Sequence, residues 1–376
     1  MLQTLYRRLS TTAFVFRGYN TTNLGRTPEL LAHPRYGAVT AHWLTQCGEI
    51  ASEVLGRKID LIHRVRNQEE TDISTYADAV ALIIAVELAH LEILRQQFHL
   101  DFHKAQYAIG YSLGELAALV AAGSLSVEDA LKIPLELAED CASLAPHCTL
   151  AVLFSRKQPL DAQQVLHACQ EIGSQTGKLV GISSVLSPNS VIVIGEDETA
   201  SMLHQLLNER TKDRLYLKKS PDQWPPMHTP IVWRKNIPSR AGILMNAMQS
   251  GLTAPSPPVL SMVTGKCSYT DTNVRETIHR WVDQPQRLWD VVYETLRTGT
   301  ETIVHLGPQP NIVPATYRRL AENVEVQTRG SLGTRTLATF VNRPWVKSLL
   351  PARTYLLRAP AIKQVILEDW LLEQEP

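Results

Sequence analysis

The sequence predicts a mixed α/β fold in two parts, a core built on parallel strands and a small βαββαβ unit inserted into it. Three observations carry this: short apolar runs that end in Gly-containing turns, a long helical periodicity over residues 76–98, and a change to short alternating elements after about residue 149. At 376 residues with 44% hydrophobic residues the chain can bury a large core. Lysine plus arginine and aspartate plus glutamate both number 37, so no overall field favours nucleic acid or an anionic membrane as a partner.

The opening residues 1–12 carry Arg7 and Arg8, but the apolar run at 13–16 is too short for a signal-peptide core. We read that opening as a lead-in to the first strand. Nothing later is long enough to span a membrane. Cys47, Cys141, Cys148, Cys169 and Cys267 are scattered, odd in number and without CxxC spacing, which predicts reduced thiols and a cytoplasmic protein rather than a disulfide framework or a zinc site.

Residues 13–16 (AFVF), ending at Gly18, predict a buried strand and a loop. Val80, Ile83, Ile84, Leu88, Leu91 and Leu94 recur at helical spacing and predict a long amphipathic or buried helix. Residues 107–110 predict a brief strand, 111–114 a tight turn, and 115–122 a helix stopped by Gly123. Ser126 and Asp129 fit a capping box for the next helix. Residues 149–154, 179–185, 191–194 and 214–218 read as strands, 160–172 and 199–208 as helices. That order is ferredoxin-like, so a subdomain is expected over 149–218, set between core segments 12–148 and 219–330. The Pro-rich stretch 221–230 returns the chain to the core, and 303–306 with Gly307-Pro308 predicts a late strand and turn. Residues 331–376 form an extension to which the sequence assigns no role.

Gly110-Tyr111-Ser112-Leu113-Gly114 matches GxSxG between a predicted strand and a predicted helix, the context a nucleophile elbow requires. Small residues flank the serine because the backbone doubles back on itself, and the turn pushes Ser112 into an open cleft. The helix N-terminus behind it offers free N–H groups, so the Leu113 amide is positioned to stabilise an oxyanion. A bare Gly-rich turn is the bland alternative.

Residues 110–123 (GYSLGELAALVAAG) resemble the signature of malonyl-CoA:acyl carrier protein transacylases and polyketide synthase acyltransferase domains. Phe14-Val-Phe-Arg-Gly18 with Gly25 is similar to that family's opening, Trp224-Pro-Pro-Met-His228-Thr-Pro230 to its histidine segment, and Val304-His-Leu-Gly-Pro308 to its late strand. The resemblance leaves out roughly the last 45 residues. It implies an α/β hydrolase-like core, with Ser112 as nucleophile and His228 as its base. It also implies an oxyanion hole of the Leu113 and Tyr19 amides, acyl-CoA and the phosphopantetheine arm of acyl carrier protein as partners, and no bound cofactor or metal.

The departures are as informative. Tyr111 stands where the family has a histidine. Leu137 stands where malonyl-specific members have an arginine that pairs with the free carboxylate, and a leucine cannot neutralise that charge. An uncharged acyl group is therefore expected, unless another arginine substitutes. Arg17 and Arg280 read as solvated surface residues. Alignment to Pro285 puts the carbonyl that orients the histidine near Trp281, whose ring either narrows the pocket or is core. Tyr111, Leu137 and Trp281 are thus the expected pocket residues. Three readings stand at this point: acyl transfer between CoA and carrier protein in fatty acid or polyketide biosynthesis, acyl hydrolysis by the same dyad, and a carrier-protein-binding homologue without catalysis.

Overall fold

Among the residues described by the computed structural model, 8–329 and 354–374, nine strands form two sheets. In chain order they are β1 (Thr12–Phe16), β2 (Tyr107–Gly110), β3 (Cys148–Ser155), β4 (Val180–Ser187), β5 (Ser190–Glu196), β6 (Leu215–Lys219), β7 (Val259–Leu260), β8 (Thr302–Leu306) and β9 (Lys363–Ile366). The helices that shape the site are α1 (Gly37–Leu55), α2 (Tyr76–Phe98), α3 (Leu113–Ala121), α4 (Val127–Glu136), α5 (Ala138–Leu144), α6 (Ala162–Thr176), α7 (Thr199–Arg210), α8 (Val274–Trp281), α9 (Ile312–Arg329) and α10 (Leu367–Leu372).

The larger sheet is parallel throughout, in the order β7-β2-β1-β8-β9. Every residue of β1 and β8 is buried, which is why these strands read as continuous apolar runs rather than alternating ones. Phe14 and Phe16 face a core shared with α1 and α2, whereas Ala13 and Val15 face a second core with Leu288, Val292 and Tyr317. Each such large apolar side chain contributes about 1.5–3 kcal/mol on burial. Phe16 pairs with both Gly110 and Leu306, so the carboxyl ends of β2, β1 and β8 lie side by side. Their following loops converge on one crevice, where open α/β sheets place ligands. α2 is buried from Tyr76 through His90 without a break, so of its two sequence readings the buried one holds.

The smaller sheet is antiparallel in the order β4-β5-β3-β6, the ferredoxin-like arrangement expected from the βαββαβ pattern. One face packs on α6 and α7 through Leu153, Val191 and Val193 against Val165, Ala168, Leu203 and Leu207. Its opposite face carries Leu150, Val152, Ile192 and Ile194, which line a cavity. Gln286 fastens this sheet to the core: its amide donates to Ser183 O at 2.8 Å and its carbonyl accepts from the Val185 amide at 2.8 Å.

The C-terminal segment, which the sequence left without a role, adds β9 beside β8 and ends in α10, whose Trp370 packs on Phe98 with ring centroids 5.0 Å apart. Residues 1–7, 330–353 and 375–376 lie outside the described residues, and with them most of the opening lead-in and part of the extension. Among the described residues no helix is long and apolar enough to cross a membrane.

Candidate active site

Ser112 sits between β2 and α3 at φ 53° and ψ −118°, a conformation a serine adopts only when its surroundings impose it. The glycines show what imposes it. A Cβ on Gly110 would lie 2.2 Å from Glu115 Cα, and one on Gly114 would lie 2.5 Å from the Phe16 and Arg17 carbonyl oxygens. A Cβ on Gly18 would meet Tyr111 O at 2.7 Å, so the loop after β1 lies directly against the elbow.

His228 meets the serine from the Pro-rich return segment, with Nε2 2.6 Å from Ser112 Oγ. Its other nitrogen, Nδ1, lies 2.6 Å from Trp281 O, a geometry that puts the proton on Nδ1 and leaves the Nε2 lone pair facing the serine. The His228 amide donates to Val282 O at 2.9 Å, so the end of α8 holds both backbone and ring. Burial pushes the imidazole pKa down to about 4, with the Trp281 carbonyl acting weakly in the opposite direction. The ring is neutral at pH 7, the state required of a base. Its orienting partner is a carbonyl, not a carboxylate.

Gln286, which the sequence reading missed, lies beside the pair. Fully buried, it accepts from the Ser112 amide at 3.1 Å through Oε1, and its Nε2 lies 3.3 Å from His228 Nδ1. No local motif marks it; the one available signal is its place directly after Pro285. Trp281 closes the arrangement, donating its indole N–H to Ser112 O at 2.9 Å.

The amides of Leu113 and Tyr19 donate to no protein acceptor among the described residues. The first opens α3 beside the serine, and the second follows the Gly18 that touches the elbow. Two unengaged N–H groups next to a serine and a neutral imidazole form a constellation suited to acyl transfer or hydrolysis.

A cavity of about 400 Å³ reaches Ser112 and His228. Tyr19, Tyr111, Leu150, Val152, Ile192, Ile194 and Ile312 line it, and the exposed Arg319 lies on its α9 wall. Tyr111 thus lies in the cavity lining. Leu137 does not: it is 1% exposed, at the joint between α4 and α5, in the core cluster that includes Met227. Trp281 is likewise absent from the lining and packs as core, while its carbonyl and indole reach the dyad. Arg17 is not a solvated residue, as the sequence suggested, but 5% exposed, because carbonyls of neighbouring loops surround its guanidinium. Arg280 is exposed.

No family model matches the chain. It is 24% identical over 259 residues to the malonyl CoA-acyl carrier protein transacylase of Haemophilus influenzae, covering 69% of this chain and 78% of that one. Among solved structures it is similar to an acyl carrier protein S-malonyltransferase from Vibrio cholerae, with a TM-score of 0.65 and 23% identity over 82% of this chain and 93% of that one. It is also similar to a malonyl-transacylase solved with its type II polyketide synthase acyl-carrier protein, with a TM-score of 0.63 and 21% identity over 82% and 92% of the two chains. Taken with the elbow and the histidine segment, these likenesses show that the chain is similar in sequence to malonyl-CoA:acyl carrier protein transacylases and shares their fold.

Proposed function

We propose that this protein is a serine acyltransferase that moves an uncharged acyl group between CoA and the phosphopantetheine thiol of an acyl carrier protein, in fatty acid or polyketide synthesis. The 2.6 Å contact between Ser112 Oγ and His228 Nε2 carries the reading. His228 takes the serine proton as Oγ bonds to the thioester carbonyl carbon, and the Leu113 and Tyr19 amides receive the oxyanion. Collapse of the tetrahedral adduct breaks the C–S bond, and His228 returns the proton to the departing CoA sulfur. The second half reverses these steps with the carrier-protein thiol as nucleophile, leaving Ser112 free.

The cavity supports the choice of an uncharged acyl group. Four apolar side chains from β3 and β5 form one wall of the cavity. A carboxylate buried there without a partner costs several kcal/mol. Arg319 is exposed at the cavity's α9 wall and, among the described residues, is the one cation in its lining.

The test is a chase. Protein acylated with a radiolabelled acetyl or longer acyl-CoA is freed of excess donor and mixed with carrier protein bearing its phosphopantetheine arm. Label moving to the carrier protein faster than it appears as free acid supports transfer. Release as free acid at a rate the carrier protein does not change assigns hydrolysis instead.

A further inference from the structure

The loop between β1 and the helix beginning at Thr27 carries the Tyr19 amide, yet it has no regular secondary structure of its own. Something must hold it, since an oxyanion donor works only when its position is fixed before the charge forms. We propose that Arg17 and Glu368 are positioning residues that together brace loop 18–26 against the elbow and so set the Tyr19 amide for catalysis. This rests on the reading of Ser112 as nucleophile.

Both side chains join the same two stretches of backbone. Arg17 Nε donates to Gly18 O at 2.8 Å and Nη2 to Asn23 Oδ1 at 2.7 Å, while Nη1 donates to Pro308 O in the turn after β8. Asn23 Oδ1 in turn accepts from the Asn20 amide at 3.1 Å, which closes the loop on itself. Glu368, at the start of α10, accepts from the Arg26 amide at 2.8 Å and, through its other oxygen, from the Gln309 amide at 2.6 Å. One residue thus ties the beginning of the loop to the 307–309 turn, and the other ties its end there.

The surroundings are cut to fit this arrangement. Gly25 has φ 51°, and a Cβ on it would lie 2.6 Å from Glu368 Oε2 and 2.7 Å from the Gln309 amide nitrogen. Glu70 holds the middle of the loop by accepting from the Asn23 amide at 2.8 Å. Arg17 is 5% exposed and Glu368 3%, so each is a costly group to bury, kept there by hydrogen bonds directed almost wholly at loop backbone. The C-terminal segment is, on this account, part of the catalytic apparatus although it touches no reacting atom.

The variants are Glu368→Gln, which sets an NH2 against a backbone donor, Arg17→Met, and Arg17→Lys as the conservative replacement. Two readouts are taken on the full chain: hydrogen exchange of peptides covering 18–26, and the second-order rate of Ser112 labelling by a fluorophosphonate, counted per folded molecule. We expect faster exchange in the loop with melting otherwise cooperative. Labelling should slow by about 10- to 100-fold, the cost of misplacing a catalytic group by roughly 1 Å, and Arg17→Lys should recover part of it. Unchanged exchange in Glu368→Gln and Arg17→Met overturns the brace, and so does faster exchange with labelling at the wild-type rate. A wild-type protein that takes no label sinks the reading of Ser112 instead, and loop exchange then decides the brace by itself.

Discussion

Ser112 Oγ and His228 Nε2 lie 2.6 Å apart, and both residues have positive φ, 53° and 64°. Two non-glycine residues in that region, meeting at one hydrogen bond, are held there by their neighbours: the elbow by Gly18, Gly110 and Gly114, the histidine by the Trp281 and Val282 carbonyls.

Gly110→Ala is expected to cost more than about 3 kcal/mol, in the range reserved for backbone clashes, because its Cβ would fall within 2.2 Å of the Glu115 backbone. Denaturant unfolding of the variant checks this, and a loss below about 1 kcal/mol contradicts the packing described.

The pH dependence of acylation should follow the buried His228. With its pKa pressed to about 4, the base stays neutral well below the usual histidine range, so kcat/KM should hold level from pH 8 to about 5 and fall as the pH approaches 4. An acid limb centred near 6.5 contradicts this. The same depression acts on stability. Above pH 6.5 neither state is protonated at this site; as the pH falls from there toward 4, the unfolded chain takes up a proton that the folded one refuses, and stability is lost. His90, pressed to about 3, and His305, pressed to about 4, act in the same direction.

Gln286→Leu should slow acylation by about 100-fold while leaving Ser112 and His228 chemically intact, since it removes the acceptor of the Ser112 amide and a neighbour of the ring. Single-turnover rates with a saturating donor separate this from weakened binding.

Donor choice tests the cavity. Acetyl and longer uncharged thioesters should acylate the enzyme more than about tenfold faster than malonyl-CoA, as an unpaired buried carboxylate requires. If malonyl-CoA reacts as well, Arg319→Ala decides whether that exposed cation supplies the missing charge.

Much of this site is legible in the sequence because its logic is local. GxSxG between strand and helix points to Ser112, while the resemblance to transacylases, carried by short motifs, is what implies His228 and a backbone carbonyl near Trp281. The remainder depends on contacts between distant segments. Gln286 meets Ser112 174 positions along the chain, with no pattern to announce it. Arg17 looks solvated until Pro308 and Asn23 are seen around it. Leu137 sits at a helix joint whose burial no periodicity foretells, and the pairing of β9 with β8 joins segments separated by residues 330–353.

The most direct measurement is intact-protein mass spectrometry of wild type and Ser112→Ala after brief exposure to acetyl-CoA, malonyl-CoA and a longer acyl-CoA. The account predicts a single acyl adduct from the uncharged donors on the wild type and none on Ser112→Ala. An adduct that persists in Ser112→Ala, or no adduct from any donor on the wild type, contradicts it.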